Sequence, residues 1–148
     1  MAPPCVILYA EDEQNDVFFF RYALQMAGSP HILNAVPDGE QAVEYLAGDG
    51  AFADRSRHPL PALVLLDINM PKKSGLEVLQ WIRQQPMFKS LPVVIFTSSS
   101  RAEDMEQARL LGADDYLLKP SAPLKLVDLV KCLHDRWFSQ QERSPRQV

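Results

Sequence analysis

Glycine, cysteine and excess basic charge are all scarce in this chain, and each shortage excludes something. Only 6 of the 148 residues are glycine, and none builds a G-x-G-x-x-G run or a P-loop. The backbone-amide phosphate cradle of nucleotide and flavin binders is therefore missing. The two cysteines, Cys5 and Cys132, lie far apart without metal-ligand spacing. That argues against zinc and for buried thiols in a reducing compartment. Lys and Arg total 15 against 19 Asp and Glu, a net charge of −4. Without a basic footprint, direct binding of nucleic acid is excluded. No apolar run approaches the ~20 residues that span a bilayer. Met1-Ala2-Pro3-Pro4 lacks the basic and apolar segments of a secretory signal. The expectation is a cytoplasmic protein without membrane contact.

What remains has ordinary soluble composition, with 47% hydrophobic and 23% charged residues, enough for one packed domain over 1–148. Its core is expected at about 5–137, with a frayed polar tail at 139–148. Val6-Ile7-Leu8-Tyr9, Leu63-Val64-Leu65-Leu66 and Val93-Val94-Ile95-Phe96 are short uninterrupted apolar runs, the pattern of strands buried on both faces. Weaker strands fall near Ile32 to Val36 and at Asp115 to Leu118. Helical patterns occupy roughly 14–27, 38–47, 74–85, 101–111 and 122–137, with Gly112 suited to the end of the fourth. Fivefold alternation predicts an α/β fold, a five-stranded parallel doubly wound sheet with helices on both faces. Residues 48–61 form a long polar insertion carrying Arg55, Arg57 and His58. His31, His58 and His134 are scattered and are expected in surface or packing roles.

Ligands of such sheets bind beyond the carboxyl ends of the strands. Glu11 and Asp12 follow the first strand, Asp67 the third, Thr97 and Ser98 close the fourth, and Lys119-Pro120 follows the fifth. Three carboxylates meeting on one edge repel one another unless neutralised. A hard divalent cation does this, and Mg²⁺ takes few carboxylates plus water. The ammonium of Lys119 and the hydroxyl of Thr97 then suit an anion beside the metal, and a phosphoryl group on Asp67 fits the set. Taken singly, each residue has a plainer reading: acidic caps, a surface lysine, a helix-starting hydroxyl, a half-buried strand tyrosine at Tyr116. Their joint placement on one edge outweighs those readings.

Tyr9-Ala10-Glu11-Asp12-Glu13, Leu66-Asp67-Ile68-Asn69-Met70-Pro71 with Gly75, Phe96-Thr97-Ser98 and Tyr116-Leu117-Leu118-Lys119-Pro120 together resemble the response-regulator receiver domain over nearly the whole chain. The resemblance implies a flavodoxin-like sheet and a phosphoacceptor switch, not an enzyme acting on foreign substrates. It implies phosphorylation at Asp67. Direct Mg²⁺ ligation would come from Asp12, Asp67 and the Asn69 carbonyl, with Glu11 acting through water. Thr97, the Ser98 amide and Lys119 would grip phosphoryl oxygens, and Tyr116 would be a rotor coupled to Thr97. A cis Lys119–Pro120 bond is also expected. Glu11-Asp12 departs from the commoner Asp-Asp pair. The 48–61 loop and Pro71-Lys72-Lys73-Ser74-Gly75 are similar to receivers that serve bacterial phytochromes, so the implied partner is a sensor histidine kinase, such as a phytochrome.

Two other chemistries fit less well. A haloacid-dehalogenase-type phosphatase needs a second acid two residues after its nucleophile, where this chain has Asn69. A pseudo-receiver working only as a docking module would not keep every acceptor and metal position filled. With few residues after the fifth helix, output is expected through an unidentified downstream protein, phosphoryl relay or dimerisation. Leu124, Val127, Val130 and Leu133, widened by Leu126 and Leu129 and followed by Trp137-Phe138, suggest a homodimer through the fourth helix, fifth strand and fifth helix. Turns and helix ends account for Pro71 and Gly75.

Overall fold

The computed structural model describes residues 4–138, so the tail expected at 139–148 lies outside the described residues. The elements run β1 (Val6–Ala10), α1 (Gln14–Met26), β2 (Ile32–Val36), α2 (Gly39–Ala47), β3 (Leu63–Leu66), α3 (Gly75–Gln84), β4 (Val93–Thr97), α4 (Ala102–Leu111), β5 (Asp115–Leu118) and α5 (Pro123–Trp137). All strand pairs are parallel, in the order β2-β1-β3-β4-β5. The three inner strands are buried along their whole length. That is why their sequences show apolar runs rather than alternation. Edge strands β2 and β5 are only partly buried.

Alternate residues of each strand feed opposite cores. Ile7 and Tyr9 join Phe20, Leu24, Leu65, Phe96, Val127 and Val130 beneath α1 and α5. Leu8 and Ala10 join Tyr45, Leu66, Val78, Ile82 and Ile95 beneath α2, α3 and α4. Helix α3 starts with a reciprocal cap in which Ser74 Oγ accepts from the Glu77 amide and Glu77 accepts from the Ser74 amide. Gly112, at φ 97°, ends α4 in the left-handed region, with its amide on the Ala108 and Arg109 carbonyls.

The 48–61 insertion is folded back onto α2. Arg55 donates to the carbonyls of Tyr45 and Leu46, at the end of α2, and to that of His58. Asn34 donates to the Tyr45 hydroxyl, which donates in turn to the Pro59 carbonyl. The three histidines pack as expected, His58 against Tyr45 and Phe52, and His31 and His134 against each other and Phe138.

Four expectations are corrected. Cys132 is exposed and Cys5 half-buried, because the inward positions of α5 are 126, 127, 130 and 133. The intervals in α5 that suggested a partner surface are mostly sheet packing, since Val127, Val130 and Leu133 are buried while Leu124 is exposed. Phe138 does not stand free at the helix end. It is 2% exposed with its ring centroid 4.1 Å from His31, in a recess lined by Ile7, Leu24 and Leu133. Finally, no cis peptide occurs among the described residues, so Lys119–Pro120 is trans; the two forms of an X–Pro bond lie within ~1 kcal/mol, and the trans bond still delivers Lys119 to its carboxylates.

Candidate functional site

Parallel strands end on one edge, and here the backbone just past each end stays tied to the sheet. The Glu11 amide donates to Val36 O (2.9 Å), the Asp67 amide to Ala10 O (3.1 Å) and the Lys119 amide to Thr97 O (2.9 Å). These side chains therefore project from rigid backbone. Glu11, Asp12 and Asp67 each bring one oxygen within 4.8 Å of the others. Glu11 and Asp67 are buried, while Asp12, Asn69 and Ser98 form the exposed rim. Asp67 Oδ1 is buried without a hydrogen-bond partner. An orphaned carboxylate oxygen next to two further acids is what a hard divalent cation requires. The residues present fit the ion that the donor set implies.

Lys119 is the common counter-charge. Its Nζ lies 2.5 Å from Glu11 Oε1, 2.8 Å from Asp16 Oδ2 and 3.2 Å from Asp67 Oδ2. Asp16 was not among the expected site residues. It stands in the first turn of α1, where an acid normally reads as a partner for the helix dipole. The available signal was its place one turn into the helix that leaves the Glu11-Asp12 corner. Glu11 also accepts from the Tyr9 hydroxyl (3.2 Å) and the Glu13 amide (3.0 Å). Burial pushes the Glu11 carboxyl up to about 7, against the downward pull of Lys119 and the Glu13 amide. Burial works against the Lys119 charge, but its bonds to Asp16 and Glu11 prevail and its pKa is raised. The Tyr9 hydroxyl is likewise held protonated by burial and by the Glu11 and Asp16 charges.

A second network starts at Thr97, which is fully buried. Thr97 Oγ1 accepts from the Ser99 amide (3.3 Å), the Tyr116 hydroxyl donates to the Ser99 carbonyl (2.8 Å), and Ser99 Oγ donates to Asp104 Oδ2 (2.6 Å) in α4. The structure thus joins Thr97 and Tyr116 through the loop after β4.

Gly75 has a role that its sequence context hid. A Cβ there would lie 2.2 Å from the Asp67 carbonyl oxygen, so α3 touches the Asp67 backbone directly. The expectation of a plain turn or helix-end glycine is corrected by this close approach. A cavity of about 150 Å³ opens beside Lys119, lined by Asp16, Phe19, Phe96, Pro120 and Leu126 among others.

The family described as the response regulator receiver domain matches residues 7–131. The response regulator Rcp1 of Synechocystis is 35% identical over 136 residues, covering 92% of this chain and 90% of that protein. The phosphorylated cyanobacterial phytochrome response regulator RcpA superposes with a TM-score of 0.84 at 33% identity, covering 93% of this chain and 96% of that one. The Mn²⁺-bound form of Rcp1 superposes with a TM-score of 0.80 at 34% identity, covering 90% and 94%.

Proposed function

This chain belongs to the response regulator receiver family of two-component signalling, and on that premise we propose that Asp67 accepts a phosphoryl group from a histidine kinase. A carboxylate oxygen of Asp67 attacks phosphorus, the bond from phosphorus to the donor imidazole nitrogen breaks, and the imidazole takes a proton as it leaves. The observation that carries this reading is the pairing of a buried, partnerless Asp67 Oδ1 with an ammonium on Oδ2. The open oxygen, Oδ1, fits the cation, and the other, Oδ2, lies beside the ammonium where the phosphoryl group would be received.

Asp12, Asp67 and the Asn69 carbonyl would hold Mg²⁺ directly, with Glu11 one water away. When bound, the ion would supply positive charge that offsets the charge of the phosphoryl group. That Rcp1 has a Mn²⁺-bound form supports a divalent site, and the acidic trio supports its location. Lys119, Thr97 and the Ser98 amide take the phosphoryl oxygens, and Thr97 and Tyr116 carry the change outward.

The phosphodonor we infer is a sensor kinase of the bacterial phytochrome type, in keeping with the phytochrome named for RcpA. Phe18, Phe19 and Tyr22 are 62%, 44% and 46% exposed on α1 and give that donor apolar surface next to the site. Output runs through a downstream protein and through a homodimer on the α4–β5–α5 face. There Met105, Leu110 and Leu118 are exposed, while Phe138 contributes nothing. The site of action we infer is the cytoplasm, on the strength of the family match; among the described residues no helix is long and apolar enough to cross a membrane.

The test is acetyl phosphate with Mg²⁺, read by intact mass. Wild type should gain one phosphoryl group and Asp67→Asn none. An adduct that persists in the variant would move the acceptor elsewhere.

A further inference from the structure

We propose that Asp16 is a positioning residue for Lys119, the one carboxylate that keeps its ammonium aimed at the phosphoryl group after Glu11 and Asp67 are engaged elsewhere. The inference rests on Asp67 being the phosphoacceptor. An ammonium has three N–H donors, and Lys119 has three carboxylates around it, Glu11, Asp16 and Asp67. Glu11 and Asp67 belong to the acidic trio that fits a cation; Asp16 does not. When the trio turns to metal and phosphoryl group, Lys119 keeps a single carboxylate partner. That partner sits on a different element, the first turn of α1, and need not move with the acceptor.

The cavity beside Lys119 makes an anchor necessary. Its lining is largely apolar apart from Asp16, Lys119 and Ser121, and it leaves space into which a flexible lysine side chain could swing. The Asp16 carboxylate lines this cavity as well and ties the ammonium at its edge. At 39% side-chain exposure its charge is partly screened, so its value lies in direction rather than in bulk field.

The test is the rate of Asp67 phosphorylation by acetyl phosphate at saturating Mg²⁺, with intact mass followed from minutes to many hours. The proteins are wild type, Asp16→Ala, Asp16→Asn, Lys119→Met and the Asp16→Ala/Lys119→Met double variant. Asp16→Ala should slow the reaction roughly tenfold, the scale of one charge-assisted hydrogen bond. Asp16→Asn should recover part of the rate, because its amide oxygen still accepts from Lys119. In the Lys119→Met background, Asp16→Ala should change the rate less than twofold, since the residue acts only through Lys119. A rate within twofold of wild type for Asp16→Ala overturns the proposal. So does an Asp16→Ala effect of equal size with and without Lys119, which would mean a merely structural role. Wild type that takes up no phosphoryl group would instead remove the premise.

Discussion

Replacing Gly75 by alanine puts a methyl group against the backbone carbonyl of Asp67. The added Cβ would stand 2.2 Å from Asp67 O and 2.8 Å from its carbonyl carbon. Both atoms are backbone and cannot rotate away. Reaching an ordinary contact of 3.4 Å requires the start of α3 and the end of β3 to part by roughly 1.2 Å. The bond from the Gly75 amide to Ile68 O, now 3.0 Å, stretches with them. Overpacking of this kind costs about 1–3 kcal/mol and a lost backbone bond about 1 kcal/mol. Better helix propensity returns up to about 1 kcal/mol. The net loss of about 1–3 kcal/mol should lower the thermal midpoint by roughly 3–10 °C for a domain of this size. Phosphorylation should suffer more, because a ~1 Å misplacement of a reacting group can cost ~10²-fold in rate. Gly28→Ala is the control. Gly28 has φ +70° with nothing within 4 Å of a new Cβ, so it pays for left-handed backbone alone. Calorimetry and phosphorylation rates on both variants decide the matter. If Gly75→Ala melts with Gly28→Ala and phosphorylates within twofold of wild type, the close approach is not what positions Asp67.

The remaining expectations follow from the same contacts. Glu11 is already engaged by Lys119, Tyr9 and Glu13, whereas Asp12 is exposed beside it; a Mg²⁺ titration by tryptophan fluorescence should show a larger affinity loss for Asp12→Ala than for Glu11→Ala, and equal losses would contradict that order. Lys119→Met should slow phosphorylation without abolishing it and should uncouple it from the switch, so that NMR shifts around Tyr116 on adding beryllofluoride shrink; a full wild-type response would end the coupling role. Phe138→Ala should destabilise the domain by about 3–5 kcal/mol through a cavity beside His31 yet leave the sedimentation coefficient alone. Leu110→Glu with Leu118→Glu should do the reverse, removing the homodimer at unchanged thermal midpoint; a wild type that is monomeric at high micromolar concentration with and without beryllofluoride would remove the dimer altogether.

The strands were legible because burial on both faces writes an uninterrupted apolar run, and the first polar residue after each run is the one the sheet edge presents. That logic reached Glu11, Asp67 and Thr97, while Lys119 followed from the weaker edge strand β5. It could not reach Asp16, because an acid in a first helical turn is ordinary, and only the reach of a lysine from β5 gives it a second purpose. Gly75 escaped for a similar reason: a glycine that opens a helix has a sufficient local explanation, and the Asp67 carbonyl it touches is a tertiary neighbour. Phe138 was misjudged since helical periodicity assigns a face but knows nothing of a recess built partly by His31, from the segment just before β2. The trans Lys119–Pro120 bond was beyond any sequence argument, as the two isomers differ too little in energy.

The two side-chain networks of the site are joined through backbone, and this bears on how a switch would work. Lys119 gathers β1, α1 and β3 through its ammonium, while Thr97, Ser99 and Tyr116 gather β4, β5 and the start of α4. The Lys119 amide donates to the Thr97 carbonyl, so the two networks are joined across neighbouring strands. The relay itself is short of slack. Ser99 is bonded through its amide to Thr97, its carbonyl to Tyr116 and its hydroxyl to Asp104. If Thr97 Oγ1 turns to a phosphoryl oxygen, the Ser99 amide loses its acceptor, and the carbonyl holding Tyr116 and the hydroxyl holding α4 are carried by that same residue. Release of the tyrosine and movement of the first turn of α4 are then one event rather than two. The surface that event alters is the α4–β5 face on which the homodimer is proposed.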